Sequence, residues 1–347
     1  MDTKDEIYHQ RCLELAQKGL GLVAPNPMVG SVVVFEDRII GEGYHAIFGG
    51  PHAEVTAINS VKDKSKLKKA TLYVNLEPCT HFGKTPPCID LIIKNKIPRV
   101  VIGQRDPYIE VAGKGIEKLI SEGIEVHVGF LENECRYLNK RFLTFHEKKR
   151  PYVILKWAET NDGYIDYKRN SVSDSQPVWI TDEVIRPLIH KWRSEEQAIL
   201  VGTNTALLDN PKLTVREWAG KSPLRMVLDR HLRLPDNLNL FNKSQPTVVF
   251  TEKKSKNSTN LEFHIIDFQN LIDEIFNFCY VRKIQSILVE GGAQLINTFI
   301  QNGKWDEARV FKSDKCFGKG VEAPKINKIP ENKSLMENSI LYSFYNY

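Results

Sequence analysis

The sequence predicts two α/β units joined near residue 150, the first a sheet covered by helices on both faces. Three observations predict it. The chain has 347 residues, about the length of two domains. Short apolar runs alternate with segments of helical spacing, once before Pro151 and again after it. Between the two series lies Glu147-Lys148-Lys149-Arg150-Pro151, a charged stretch ending in proline, which suits a domain boundary at 149/150.

In the first series a helix is expected from about Glu6 to Gly19, with Leu13, Leu15 and Ala16 facing inwards. Strands at Val29–Phe35 and Arg38–Gly43 are joined by Glu36-Asp37. A helix follows His52, with Val55, Ala57, Ile58 and Val61 running into the core. Lys62 to Lys69 reads as a solvated loop. A strand at Thr71–Asn75, a helix from Cys88 and a strand at Arg99–Gly103 come next. A helix at Lys114–Glu122, a strand at Ile124–Val128 and one helix from about Glu132 to Phe145 complete the unit. After Pro151, Val153–Ala158 reads as a strand and Asp182–Arg193 as a helix capped by Thr181. Gln197–Val201, Leu224–Leu228, Thr247–Phe250 and Ser286–Val289 read as strands. Phe311 and Ile340 to Tyr345 read as late antiparallel strands, and Lys253 to Asn260 as a polar loop.

The chemistry is concentrated in Pro51-His52-Ala53-Glu54, Pro78-Cys79 and Cys88. One imidazole and two thiolates make three zinc ligands and leave a coordination position open, whereas a closed structural site would want a fourth Cys or His. Water in that position has a pKa near ~7, and a carboxylate beside it can carry its proton to a departing amine. Glu54 is the candidate shuttle. The His-x-Glu spacing sets the two side chains about 200° apart on a helix, so His52 in the first turn and Glu54 would reach the metal site from different sides. Both cysteines follow prolines, which suit helix starts, and a helix N-terminus favours the thiolate. These residues imply a zinc-dependent deaminase.

The rest of the composition narrows the class. Six cysteines, at 12, 79, 88, 135, 279 and 316, are too sparse for a disulfide framework, and Cys12, Cys135 and Cys279 read as core residues. Residues 1–6 lack the apolar stretch of a signal peptide, and the apolar runs are strand-length, so a cytoplasmic protein with no membrane span is expected. The net charge of +5 is spread evenly, with no basic face for nucleic acid, and small anionic substrates fit it better. In the second half, Glu290-Gly291-Gly292-Ala293-Gln294 ends a strand, turns the chain and starts a helix whose amides could meet a phosphate. The dinucleotide spacings at Gly19 and Gly41 lie in no strand-to-helix turn and are accidental.

Longer motifs carry a resemblance. They are Pro25-Asn26-Pro27-x-Val29-Gly30, Gly41-Glu42-Gly43-Tyr44-His45, Pro51-His52-Ala53-Glu54 and Leu76-Glu77-Pro78-Cys79-Thr80-His81-Phe82-Gly83-Lys84-Thr85-Pro86-Pro87-Cys88. The second half adds Leu155-Lys156, Asp162-Gly163, Trp179-Ile180-Thr181, Val201-Gly202-Thr203-Asn204-Thr205, Asp209-Asn210-Pro211-x-Leu213-Thr214-Val215-Arg216, Glu290-Gly291-Gly292 and Phe317-Gly318-Lys319-Gly320. In this order, and over almost the whole chain, the sequence resembles the bifunctional deaminase–reductase family of riboflavin biosynthesis. Eight residues separate Cys79 from Cys88, where most nucleoside and nucleic-acid deaminases have two.

The resemblance implies a cytidine-deaminase-like three-layer α/β/α domain at 1–149 and a dihydrofolate-reductase-like α/β domain at 150–347. It implies one Zn2+ per chain and NADPH, small phosphorylated pyrimidine substrates, and a homodimer or homotetramer. Zinc hydrolysis of a diaminopyrimidine phosphoribosyl substrate would precede NADPH reduction of its ribosyl group. By position, His52, Cys79 and Cys88 are the zinc ligands, Glu54 the shuttle, and Asn26, His45, His81 and Lys84 lie around the first substrate. Ala158, Trp179, Thr205, Asp209, Arg230, Gly291, Gly292, Ala293 and Gln294 match cofactor contacts. Pro177, Arg193, Leu213, Arg216 and Glu290 match contacts to the second substrate. Arg193 and Arg216 suit a phosphate clamp. Trp179 suits a cofactor wall or a core position. Lys156, Asp209 and Glu290 are the candidates for proton delivery. The chain departs from the family at Tyr108-Ile109, where Asn-Pro is frequent, and at Pro177, where serine is common. Two other readings stay open: a deaminase of another substrate whose second domain only binds ligand, and a zinc-stabilised scaffold without catalysis.

Overall fold

The computed structural model describes residues 3–80, 86–107, 113–169 and 178–347, in two compact units, Met1–Lys149 and Arg150–Tyr347. The first unit runs α1 (Thr3–Gln17), β1 (Gly30–Phe35), β2 (Arg38–Tyr44), α2 (Ala53–Ser60), β3 (Thr71–Leu76), α3 (Cys88–Lys94), β4 (Arg99–Gln104), α4 (Lys114–Ser121), β5 (Glu125–Val128), α5 (Glu132–Leu138) and α6 (Lys140–Lys148). Its five strands lie in the order β2-β1-β3-β4-β5, with β1 antiparallel to both neighbours and β3, β4 and β5 parallel.

Alternation along the strands builds the layers. Val33, Leu72, Val74, Val100 and Ile102 face a core shared with Ala57 and Ile58 of α2, Ile89 and Ile92 of α3, and Leu119 of α4. Val32, Val34, Tyr73 and Val101 face the other way, onto Cys12 and Leu15 of α1. The sheet is therefore covered on both faces, and its strands can be apolar throughout. Two glycines set how closely α2 lies on β2. A Cβ on Gly43 would stand 2.6 Å from the Ala57 amide nitrogen, and one on Gly41 would stand 2.5 Å from the Ala57 carbonyl oxygen.

The second unit runs β6 (Tyr152–Glu159), β7 (Tyr164–Asp166), α7 (Arg186–Glu195), β8 (Ala198–Val201), α8 (Thr203–Asp209), β9 (Leu224–Leu228), β10 (Thr247–Thr251), β11 (Leu261–Ile265), α9 (Leu271–Val281), β12 (Ser286–Glu290), α10 (Ala293–Gln301), β13 (Glu307–Ser313), β14 (Val321–Glu322), β15 (Asn332–Met336) and β16 (Ser339–Tyr345). Nine strands form one sheet in the order β11-β10-β9-β8-β12-β6-β13-β16-β15. It is parallel from β11 to β13 and antiparallel across β16 and β15. One face carries the core shared with α9 and α10. The other packs against Trp192 and Ile189 of α7 and Ala206 of α8.

Several expected elements differ. The single helix over 132–145 is two, because Asn139 leaves helical geometry and spends its side chain on the Met28 backbone 111 residues away. Thr181 is not a helix cap: residues 183–185 form a 3-10 turn and α7 begins at Arg186, with Pro187 in its first turn. Residues 64–69 are a 3-10 helix, not an open loop. The Asp63 carboxylate caps it and Leu67 is fully buried, so the lysines line only its outer side. Strands β7, β11, β14 and β15 and helices α8 and α9 were missed. The buried placement of Cys12, Cys135 and Cys279 agrees with expectation.

Candidate functional site

The candidate metal ligands lie on the segments that follow the edge strand β2 and the central strand β3. His52 is the N-cap of α2, in extended geometry, one position before the first turn in which it was expected. Cys79 follows the end of β3, and Cys88 is the first residue of α3. The His52 Nδ1 lies 3.5 Å from Cys79 Sγ and 3.3 Å from Cys88 Sγ. All three donor atoms fall within 4.8 Å of one another. A tetrahedral zinc with Zn–N of about 2.05 Å and Zn–S of about 2.3 Å requires N···S near 3.5 Å, so the donor set fits the ion. Among the described residues, no fourth His, Cys, Asp or Glu joins this group.

The electrostatics suit a cation. The Cys88 S–H and the imidazole hold the Cys79 thiol down to about 4, and the amide of Cys88 donates to its sulfur at 3.3 Å. Cys88 is pushed up, because its sulfur shares the remaining proton with Cys79 and is buried. Glu54 is 3 % exposed, and burial, together with the Cys79 thiolate, pushes its carboxyl up to about 7. A carboxyl there can both accept and return a proton at neutral pH.

Behind the ligands stands a second histidine. His45 Nδ1 faces the Pro51 carbonyl oxygen at 2.9 Å, so it carries the proton, and Nε2 accepts from Asn26 Nδ2 at 3.0 Å. Its ring meets His52 edge-on, with centroids 5.4 Å apart. Burial lowers its pKa and keeps it neutral. The structure thus joins Asn26, His45, His52, Cys79, Cys88 and Glu54. His81, Lys84, Pro177 and Tyr108-Ile109 lie outside the described residues. No local pattern marks what supports Asn26. Met28, two residues on, donates its N–H to Asn139 and accepts at its carbonyl from Asn75 and Asn139. Glu77 was quoted only as part of a motif. Its carboxylate receives the amides of Asp106, Gly113, Gly115 and Ile116 and ties the chain after β4 to the segment that leads from β3 to Cys79. A buried glutamate beside the Pro-Cys pair was the available signal.

In the second unit a cluster of charged side chains forms where β6 and β12 run side by side. Lys156 and Glu290 are partners in register, and Arg193 of α7 binds Glu290 bidentately, at 3.0 Å from Nε and 2.6 Å from Nη2. Burial alone would raise Glu290, but the guanidinium and the Lys156 ammonium hold it down to about 2. Burial lowers Lys156, and Arg193 adds to that while Glu290 opposes it. The turn after β12 is as expected. Gly291 and Gly292 have φ of 80° and 76°, and Gly292 caps α10, whose first amides have no intrahelical acceptor. Thr205 of α8 lies directly against it, 2.9 Å from where a Gly291 Cβ would be. This open cradle of glycines and helix amides fits the phosphates of a dinucleotide.

Other expected residues are spread more widely. Trp179 is 53 % exposed with Arg186 stacked 4.1 Å over its ring, which removes the core reading. Ala158 faces the α7 side of the sheet beside Phe311, and Ala293 and Gln294 open α10. Arg230 is at the surface, paired with Glu252. Asp209 ends α8 and is bound by Arg169 at 3.0 Å, a partner no motif announced. Leu213 is 2 % exposed and takes a left-handed φ of 51°, so its side chain belongs to the core and its backbone shapes the loop before Arg216.

A three-ligand zinc pocket with a buried carboxyl, joined to a parallel-sheet unit with a phosphate cradle, defines a two-domain enzyme: a zinc-dependent hydrolase linked to a dinucleotide-dependent reductase. Residues 2–104 match the cytidine and deoxycytidylate deaminase zinc-binding region, and residues 151–336 match the RibD C-terminal domain. The riboflavin biosynthesis protein RibD of Aquifex aeolicus is 43 % identical over 91 % of this chain and 89 % of its own length, and that of Escherichia coli 35 % over 91 % and 89 %. The Thermotoga maritima diaminohydroxyphosphoribosylaminopyrimidine deaminase/5-amino-6-(5-phosphoribosylamino)uracil reductase superposes with a TM-score of 0.89, at 40 % identity, covering 99 % of both chains. Acinetobacter baumannii RibD gives a TM-score of 0.88 at 30 % identity. The chain belongs to the RibD family of riboflavin biosynthesis proteins. It is a bifunctional deaminase and reductase with zinc and NADPH as cofactors, and its two units have the cytidine-deaminase-like and dihydrofolate-reductase-like folds. No helix among the described residues is long and apolar enough to cross a membrane.

Proposed function

We propose that residues 1–149 deaminate 2,5-diamino-6-(5-phosphoribosylamino)pyrimidin-4(3H)-one and that residues 150–347 reduce the product to 5-amino-6-(5-phosphoribitylamino)uracil. The observation that carries this is the convergence of His52, Cys79 and Cys88 with Glu54 buried beside them. The substrates follow from the name of the Thermotoga relative. His52, Cys79 and Cys88 would hold zinc, which supplies an acidified water, of pKa near ~7, as nucleophile. Glu54 takes the water's proton and returns it to the leaving amino group. Hydrolysis replaces the ring amine by a carbonyl and releases ammonia. Neutral His45 presents its Nε2 to Asn26 and so fixes that amide toward the substrate. His81 and Lys84 complete this site in the reading, on the strength of the family motif.

In the second unit Ala158, Trp179, Thr205, Asp209, Arg230 and the 291–294 turn bind the cofactor, which supplies the hydride to C1′. The oxygen freed from C1′ then needs a proton. Of the three candidates, Lys156 is best suited. Glu290 is held ionised by Arg193 and Lys156, and Asp209 is engaged by Arg169. Lys156 carries a proton that burial makes easier to release. Arg193, Leu213, Arg216, Glu290 and Pro177 form the substrate side, with Arg216 meeting the phosphate. The protein acts as a cytoplasmic homodimer or homotetramer in this reading, which light scattering tests. The deciding assay supplies the diaminopyrimidine phosphoribosyl substrate with and without NADPH. Ammonia release in both and NADPH oxidation following it are expected. Ammonia without oxidation would leave a deaminase with a passive second domain.

A further inference from the structure

Arg216 belongs to a surface loop, yet its main chain is not free. Its amide donates to Nδ1 of His190 at 3.0 Å, and His190 is a 4 %-exposed residue of α7. An amide can only donate, so Nδ1 must be the acceptor and a neutral His190 must carry its proton on Nε2. Nε2 points towards the Glu217 carboxylate, 3.8 Å away. One helical turn on, Arg193 reaches the Thr214 carbonyl oxygen at 3.5 Å, and the Arg216 guanidinium itself donates to Thr214 Oγ1 at 2.9 Å. The Val215 amide donates to Ser222 Oγ at 3.0 Å. Consecutive peptide groups of the 214–216 loop are thus fastened, and α7 holds two of them through side chains three residues apart on one face.

We infer that His190 is a positioning residue for the second reaction: its Nδ1 fixes the backbone at Arg216 and thereby aims the guanidinium at the anionic group of the substrate. The inference rests on the reading of Arg216 as the phosphate contact. A guanidinium on an untethered loop would pay the ordering cost at each binding event, whereas one on a tethered loop is already placed. The charged groups around the ring are Arg193 on its own helix, Arg216 and Glu217 on the loop, and Glu290 on β12. Burial and the two arginines lower the pKa of His190, which agrees with the acceptor role that the geometry requires.

The test compares two amides at one position in the full chain. Asparagine places an acceptor oxygen where Nδ1 stands, and glutamine carries its polar atoms one bond further out. His190→Gln is expected to raise the KM for 5-amino-6-(5-phosphoribosylamino)uracil about tenfold, the worth of one hydrogen bond, with kcat changed less than about twofold. His190→Asn is expected to stay within about threefold of the parent. The KM for NADPH and the ammonia-release rate should be unchanged in both, which also reports that the variants are folded. If Asn and Gln behave alike, whether both normal or both impaired, the Nδ1 contact is not what matters and the proposal is overturned. Arg216→Gln runs beside them. If it leaves that KM unchanged, the reading of Arg216 fails by itself, whereas a raised KM in Arg216→Gln with a normal His190→Gln defeats the inference alone.

Discussion

The candidate zinc site of the first unit and the Lys156–Glu290–Arg193 cluster of the second handle charge in opposite ways. In the first, the side chains by themselves leave one thiol and one carboxyl holding protons they would lose beside a cation. In the second, an anion is bracketed by two cations of the same chain. One site is built to be completed by an ion from outside, and the other carries its counter-charges within the fold. Buried charge is tolerable only with compensation, so the two sites differ in what removes their stability and in what removes their activity.

Four experiments break or sharpen this contrast, the largest effect first. Glu54→Gln keeps the shape of the zinc pocket but not the proton carrier. Ammonia release should fall by about 10³-fold or more, with one zinc per chain retained and NADPH oxidation of the deaminated product intact. Residual deamination near the parent rate would leave Glu54 without its role. Next, Lys156→Met should cut NADPH oxidation at saturating substrate by about 10²-fold and spare ammonia release. An unchanged rate removes Lys156 from the proton path.

The third concerns stability. Glu290 sits near 2 in the folded chain against 4.5 ordinarily, a lowered carboxylate. Its ionised form therefore stabilises the fold above about pH 4.5, and that contribution is lost as pH falls towards about 2. Glu290→Gln should lower Tm at neutral pH, and the gap to the parent should close through that acid window. A gap independent of pH would mean that the Arg193 pair contributes no charge-dependent stability. The smallest effect belongs to Arg230→Ala. Its pair with Glu252 is exposed, so Tm should move by no more than about 1–2 °C while the Kd for NADPH rises several-fold. An unchanged Kd would make Arg230 a surface ion pair only.

Much of the zinc site was legible because its ligands come from short motifs at helix starts, where proline and capping geometry leave local traces. His52, Cys79, Cys88 and Glu54 could all be named without knowing how the sheet is ordered. The Asn139 clamp on Met28 could not, since its partner is 111 residues away and an asparagine inside a helical pattern looks like any other. The same holds for Arg169 on Asp209 and His190 on Arg216, where nothing in the local pattern marks the partner. Thr181 was read as a cap from residue type alone, and the proline at 187 set the start of α7 instead.

By itself the sequence determined the division into two α/β units and the apolar strands that must be covered on both faces, and it named the candidate ligand set with its spare carboxyl. These depend on spacing and on the chemistry of side chains near one another in the chain. Only the tertiary structure decided that Lys156 and Glu290 stand side by side, that Trp179 lies at the surface and Leu213 beneath it, and that α7 holds the Arg216 loop. Each of these depends on which strands and helices become neighbours. That order is set by how the whole core packs, so no window along the chain contains it.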